Sequence, residues 1–185
     1  MPDPAQRALA ALEGLSVAER LAGGPTASGA QLGAAFLDVL YRRGAIDAGD
    51  VVATLGRRQI THEGLAAYAV IGAWCVGSPV RAGEQATLAA AGTDDVVGAR
   101  AVAFAASLAS EVVTGEQLYV EGTTQHVPER FSRALEIAVA HLDDFEAAVT
   151  TALAAGADAA IVGALVASRV GVRGIPLRWR HPPAL

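Results

Sequence analysis

Carboxylates are the side chains in this sequence whose spacing could support metal-assisted chemistry. They occur as Asp94-Asp95, as Asp143-Asp144 and as the single Asp158. Divalent cations such as Mg²⁺ are held by several oxygen ligands, often carboxylates at helix ends or in loops. Each group also precedes a helical pattern, where an acidic residue caps the helix and complements its dipole. Capping alone explains these residues, so the catalytic residues are not identified by the sequence, and Asp158, Asp94 and Asp95 remain the candidates.

Motifs for other kinds of catalysis are absent from the sequence. There is no GxGxxG after a strand, no P-loop, no HExxH and no GxSxG elbow. His62-Glu63 lacks the second histidine of a zinc-protease helix, and the four histidines do not have the spacing of metal ligands. Cys75 is the only cysteine, which excludes a disulfide framework and a thiolate metal site. A single cysteine is typical of a reducing cytosol, so we expect a cytoplasmic protein.

Composition and charge restrict the partners of the 185-residue chain. A net charge of −5 gives no electrostatic footprint for nucleic acid. The longest uncharged run, Gly64 to Val80, is shorter than the ~20 residues of a membrane span and predicts a buried helix instead. Asp3 and Glu13 argue against a signal sequence. Hydrophobic residues make up 52% and aromatic residues 5%, so we expect a core of alanine, valine and leucine.

The spacing of apolar residues and the turn signals predict a single compact, orthogonal, multi-helix all-α domain over residues 1–185, with about eight or nine helices. The predicted helices cover 4–21, 30–43, a short segment within 45–58, a segment from Thr61 to Trp74, and then about 80–91, 93–110, 128–141, 143–155 and 159–170. Asp47 and Thr61 are predicted caps, and Pro79 is predicted to end a helix. Residues 112–126 alternate as a strand does, which predicts a hairpin or an ordered loop.

Residues 131–179 resemble the C-terminal segment of the ADP-ribosylglycohydrolase family. In that family a glycine turn is followed by G-D-x-D-T, an Ala/Gly-rich helix, a Y-G step and I-P-x-x-W. The matching positions here are Phe145, Gly156, Asp158, Gly163, Gly171, Ile175, Pro176 and Trp179. The stretches ALEGLSVAERLAGGP (11–25) and TASGAQLGAAFLDVLYRRGAIDAGDV (26–51) resemble the start of the family. The resemblance is weak from about 60 to 127 and covers roughly two-thirds of the chain.

Two motifs of that family depart from the pattern in this chain. In the family, T-D-D near the start and D-x-D-[ST] near the end jointly hold two metal ions over a glycosidic bond. The first motif reads TASGA at 26–30, without a carboxylate, and the second reads DAAI at 158–161, with one. A single carboxylate cannot hold two divalent cations at useful affinity. The resemblance therefore implies a shortened, degenerate member without a metal or another cofactor.

The favoured hypothesis is a metal-free, catalytically degenerate or repurposed scaffold that binds a small molecule or a partner protein in the ancestral cleft. The candidate ligand-binding residues are Thr26, Ser28, Gln31, Gly156 and Asp158. One alternative is a diverged metal-dependent hydrolase that removes ADP-ribose from a protein or small molecule. Its Mg²⁺ would be held by Asp158, Asp94 and Asp95, helped by Glu63 or Glu19. Another alternative is a homo-oligomeric structural or regulatory module, which Ala-rich apolar helices permit.

Two further readings of the sequence carry less weight. Segments 23–45 and 93–122 faintly resemble parts of short-chain dehydrogenases. The glycine spacing is wrong for that class, and the sequence has no lysine for a Tyr-x-x-x-Lys motif. A dinucleotide-binding oxidoreductase is therefore disfavoured. The frequent use of alanine, glycine, arginine and valine is typical of GC-rich bacterial genomes.

Overall fold

The computed structural model describes residues 3–23, 28–47, 49, 62–91, 93, 95–111, 114–123 and 129–180. These residues form ten α-helices and contain no β-strand, which confirms the predicted all-α class. The helices are α1 (Pro4–Leu21), α2 (Ser28–Arg43), α3 (Tyr68–Trp74), α4 (Pro79–Ala89), α5 (Val96–Ser110), α6 (Gly115–Thr123), α7 (Glu129–Ala140), α8 (Phe145–Ala155), α9 (Ala159–Val170) and α10 (Leu177–Arg180). Two 3₁₀ helices span His62–Ala67 and Val172–Gly174. None of the described helices is long and apolar enough to cross a membrane.

Most predicted helices have the predicted bounds to within a few residues. Pro79 was expected to end a helix but is the first residue of α4, where its missing N–H removes no helical hydrogen bond. Asp47 Oδ1 accepts a hydrogen bond from the Gly49 N–H at 2.8 Å. The rest of the short helix predicted within 45–58 lies outside the described residues, apart from 45–47 and 49, as does the predicted cap Thr61.

The predicted hairpin or ordered loop at 112–126 is wrong where the structure describes it, because residues 115–123 form α6. Thr114 Oγ1 accepts a hydrogen bond from the Gln117 N–H at 3.2 Å, and the Thr114 N–H donates to Gln117 Oε1 at 3.1 Å. This reciprocal pair is a capping box, which starts a helix. Leu118 is buried and Gly122 lies against Leu135 of α7, so the apparent alternation is one buried helical face.

A close contact between glycines joins α1 to α9. A Cβ atom at Gly14 would lie 2.5 Å from the Gly163 carbonyl oxygen, and one at Gly163 would lie 2.7 Å from the Ala18 Cβ. Larger residues would force the two backbones apart, since protein interiors leave no room for such overlap. Arg7 near the start of α1 bonds to the Ser168 carbonyl near the end of α9, so the two helices are antiparallel.

Helix α3 runs in the same direction as α5. Gly72 packs against the backbone at Ala103, and three residues later the Cys75 carbonyl accepts a hydrogen bond from Ser107 Oγ at 2.5 Å. Residue numbers therefore increase in the same direction along both helices. Alanine dominates the buried core around these helices, as the composition predicted.

Helix α9 also runs parallel to α5. The two helices pack together, and Arg169 Nη1 near the end of α9 donates to the Glu111 carbonyl just after α5 at 2.6 Å. The starts of α3, α5 and α9 consequently lie at one end of the helical core, where α1 ends. We call this the carboxylate end, after Glu19, Asp95 and Asp158. The opposite end is the arginine end, after Arg7 and Arg169.

Candidate functional site

Three carboxylates at the carboxylate end each bind the start of a different helix. Asp158 Oδ1 accepts a hydrogen bond from the Ile161 N–H of α9 at 3.1 Å. Asp95 Oδ1 accepts one from the Gly98 N–H of α5 at 2.8 Å. Glu19 Oε2 accepts one at 3.3 Å from a main-chain N–H in the first turn of α2, that of residue 30. A carboxylate at a helix start satisfies a free N–H donor and complements the positive end of the dipole.

The packing of α1 against α9 brings the described part of the first motif, residues 28–30, toward the same end of the molecule as Asp158. Glu19 lies five residues after Gly14 and Asp158 lies five residues before Gly163, so both carboxylates lie toward the same end of the antiparallel pair. Glu19 in turn binds the first turn of α2, directly after the first motif. Within the described part of the chain, no group of three His, Cys, Asp or Glu side chains could hold a metal ion.

The structure describes some of the predicted ligand-binding residues and not others. Gln31 is exposed in the first turn of α2, and Gly156 ends α8 with a φ of 63°, which glycine adopts without strain. Asp158 is partly exposed. Thr26 and Asp94 lie outside the described residues, as do the side chains of Ser28 and Glu63.

Tyr68, the first residue of α3, is a buried polar side chain that the sequence did not single out. It is 1% exposed, and its ring lies 5.0 Å from that of Phe36 between centroids. Its hydroxyl has no hydrogen-bond partner among the described residues. Burial raises the pKa of the phenol, and the negative charge of Asp95 raises it further. The sequence signal for this position was one phenol within an uncharged apolar run.

Arginines organise the opposite end of the same helices. The Arg7 guanidinium donates to the main-chain carbonyls of Ser168, at 3.0 Å, and of Arg169. Arg169 donates to the Glu111 carbonyl and, through Nε at 3.0 Å, to Asp143 Oδ1. Burial lowers the pKa of Arg7, and the Arg169 charge lowers it further. Cations at helix ends satisfy the free carbonyls and complement the negative end of the dipole.

Two open clefts of roughly 600 Å³ each flank these arginines. One lies between the start of α1 and residues 170–173, beside Arg7. The other lies between the start of α6 and residues 139–144, beside Arg169. Neither cleft includes a residue of the two family-like motifs, and the sequence did not predict either of them.

The fold is all-α, and at the carboxylate end Glu19, Asp95 and Asp158 bind the starts of three helices. A family model described as ADP-ribosylglycohydrolase matches residues 3–183. The chain therefore belongs to the ADP-ribosylglycohydrolase family, and the match includes the central region where the resemblance was weak. No curated protein and no solved structure matches the chain.

The two metal ions that the family resemblance implies do not fit the residues that stand at the two motifs of this chain. The first motif, at 26–30, has no carboxylate, and the second keeps only Asp158. That remaining carboxylate is bonded to its own helix through Oδ1. Hard divalent cations need several oxygen ligands, and the two motifs together supply one carboxylate.

Proposed function

We propose that this protein is a degenerate member of its family that binds a small molecule or a protein partner in the ancestral cleft, without a divalent metal. The observation that carries the proposal is that both motifs of the family's metal site are missing carboxylates of the family pattern in this chain. The first motif has no carboxylate, and Asp158 of the second caps α9. Two losses that meet at one end of the fold argue for a changed function more strongly than either loss alone.

Loss of the carboxylates changes which ligands the cleft can accept. Fewer negative charges mean less mutual repulsion and a smaller desolvation cost when a ligand covers the cleft. Glu19 and Asp158 also have part of their charge balanced by the helix starts they bind. The cleft therefore favours neutral or weakly polar groups over the hydrated cations of the ancestral chemistry. The single, buried Cys75 is in keeping with the cytoplasmic location that we also propose.

Thermal unfolding with added cations and ADP-ribose tests this proposal. We expect millimolar Mg²⁺ or Mn²⁺ to leave Tm unchanged. Ligand present at a hundred times its Kd stabilises a protein by about 2.7 kcal/mol, and 1 kcal/mol corresponds to roughly 2–4 °C in a chain of this size. A rise with ADP-ribose alone would support a nucleotide-binding pseudoenzyme. A rise of several degrees with either cation would contradict the proposal.

An activity measurement separates the proposal from the diverged hydrolase. We expect no release of ADP-ribose from an ADP-ribosylated protein, with or without Mg²⁺. Cation-dependent release that disappears in Asp158→Asn would establish the hydrolase instead. A lack of response to both cations and ADP-ribose would direct the search to protein partners, and a concentration-dependent oligomer in solution would support the oligomeric module.

A further inference from the structure

The cleft beside Arg7 carries more positive than negative charge. It has a volume of roughly 600 Å³ and lies between the start of α1 and residues 170–173. Arg7 and Arg173 both line it, since α1 packs against the 3₁₀ helix that contains Arg173. Asp3 is the one acidic residue of the described lining. Two arginines against one aspartate leave this lining with one net positive charge.

The fold leaves arginine donors of this cleft without acceptors. Arg7 Nη1 donates to the main-chain carbonyls of residues 168 and 169, and no described residue accepts from its Nε or Nη2. Arg173 is exposed and has no hydrogen bond or ion pair with a described residue. A guanidinium is a planar fork of five N–H donors that matches the two oxygens of a carboxylate. An anion in the cleft would therefore use donors that the described part of the protein does not.

The charges around the cleft favour a ligand with a single negative charge. Burial and then the charge of Arg169 lower the pKa of Arg7, whose guanidinium stays charged at neutral pH. A bound anion relieves that repulsion. Asp3 opposes a second negative charge, although its Oδ1 accepts a hydrogen bond from the Ala5 N–H at 3.0 Å. A carboxylate thus suits the lining better than a dianion such as a phosphate monoester.

Apolar side chains form much of the remaining lining. Leu9, Val170 and Val172 border the cleft, together with Gln6 and Gly171. Leu9 is 46% exposed, so a ligand that covers it removes aliphatic surface from water, which favours binding. The cleft volume also lies within the range of about 300–1,000 Å³ that is typical of small-molecule sites. These side chains suit an aliphatic tail.

We propose that this cleft binds a small aliphatic carboxylate, whose carboxylate group contacts Arg7 and Arg173 and whose tail lies against the apolar part of the lining. The inference is independent of the proposed function, since no residue of the two family-like motifs lines this cleft. The two arginines have different parts. Arg7 also holds α1 on α9, whereas Arg173 makes no polar contact with a described residue. Removal of Arg173 therefore affects the ligand and not the fold.

Pentanoate tests the proposal in an NMR titration of the full chain. We expect saturable shifts of the amide signals of residues 5–9 and 170–173, with a Kd on the order of 1 mM. Acetate keeps the charge and loses most of the tail, and pentanol keeps the tail without the charge. Both should bind at least about tenfold more weakly, because each loses one half of the recognition.

Arg173→Met tests the role of the arginine, with Arg133→Met as the matched control. Arg133 is exposed on α7, lies outside the cleft lining and loses the same charge. We expect Arg173→Met to weaken pentanoate binding about tenfold, as the loss of a charged hydrogen bond does, and to leave Tm unchanged. Arg173→Lys keeps the charge without the planar fork and should give an intermediate loss. Arg133→Met should change neither the Kd nor the Tm.

Several results would overturn the proposal. Absence of saturable pentanoate binding by the wild type would remove the site. Equal affinities in Arg173→Met and Arg133→Met would exclude Arg173 as a contact. Pentanol binding as tight as that of pentanoate would exclude recognition of charge, and tighter binding of inorganic phosphate would replace the carboxylate by a phosphate ligand. The proposed function would survive each of these results, because its own test uses cations and ADP-ribose.

Discussion

The two ends of the helical core use charge in opposite ways and over different distances along the chain. At the carboxylate end, Asp95 and Asp158 each bind an N–H three residues ahead, on the helix they begin. At the arginine end, Arg7 binds carbonyls 161 and 162 residues away, and Arg169 binds one 58 residues away. The two aspartates cap the helices they begin, Glu19 of α1 binds the first turn of the next helix, and the arginines connect helices that are far apart in the sequence.

This difference bears on function, because the acids are the residues that could have done chemistry. Each of the three binds a main-chain donor, so a structural role accounts for its presence. The arginine end carries no family-like motif, and its charges serve the packing of α1, α5 and α9. Capping is thus a sufficient role for the acidic residues at this end of the fold.

The close contact between Gly14 of α1 and Gly163 of α9 gives the largest expected effect. Gly14→Ala would place a Cβ atom 2.5 Å from the Gly163 carbonyl oxygen, where neither backbone can yield. We expect a loss of about 3 kcal/mol in the free energy of unfolding, measured by urea denaturation. The carboxylate and arginine ends should both loosen, which hydrogen exchange of α1 and α9 would detect.

Gly83→Ala is the matched control for that substitution. Gly83 is a helical glycine of α4, and its new Cβ would lie 3.2 Å from Cγ of the flexible Arg100 side chain. We expect no loss and a gain of up to about 1 kcal/mol from helix propensity. Equal losses at Gly14 and Gly83 would show that the α1–α9 contact is not unusually close.

Removal of Arg7 tests the long-range contacts of the arginine end. Arg7→Met keeps the apolar stem and removes the donors to the Ser168 and Arg169 carbonyls. Hydrogen bonds from a charged group contribute about 1.5–3 kcal/mol, so we expect a loss of about 2 kcal/mol. Arg173 is exposed in the cleft beside Arg7 and provides the control. Arg173→Met should change the free energy of unfolding by no more than about 0.5 kcal/mol. A loss at Arg173 as large as that at Arg7 would refute the carbonyl bonds as the cause.

The separation of contacting residues along the sequence also explains which features the sequence could predict. The long helices and the caps at Asp95, Asp144 and Asp158 follow from local patterns of three or four residues. The error at α6 was avoidable, since Thr114 and Gln117 have the spacing of a capping box. Local signals of this kind need no tertiary information.

Tertiary contacts set the rest. Nothing in the sequence around Arg7 indicates that its partners are the carbonyls of 168 and 169. The burial of Tyr68 beside Phe36 likewise depends on how α2 meets α3. The family resemblance predicted that the two motifs belong to one site. The antiparallel packing of α1 on α9, which brings the end of α1 to the start of α9, follows from neither motif alone.

The smallest expected effect concerns Asp158, and it decides between capping and chemistry. Asp158→Ala removes an N-cap and should lower the free energy of unfolding by about 1 kcal/mol. Asp158→Asn keeps a capping side chain and should lower it by only about 0.3 kcal/mol. Asp144 caps α8 through the Ala147 N–H at 3.0 Å and is the control, with the same pair of results expected. If Asp158 were a metal ligand, Asp158→Asn would abolish a cation-dependent rise in Tm that Asp144→Asn retains. Matching behaviour at both positions, in melts with and without Mg²⁺, would mean that Asp158 acts as a cap.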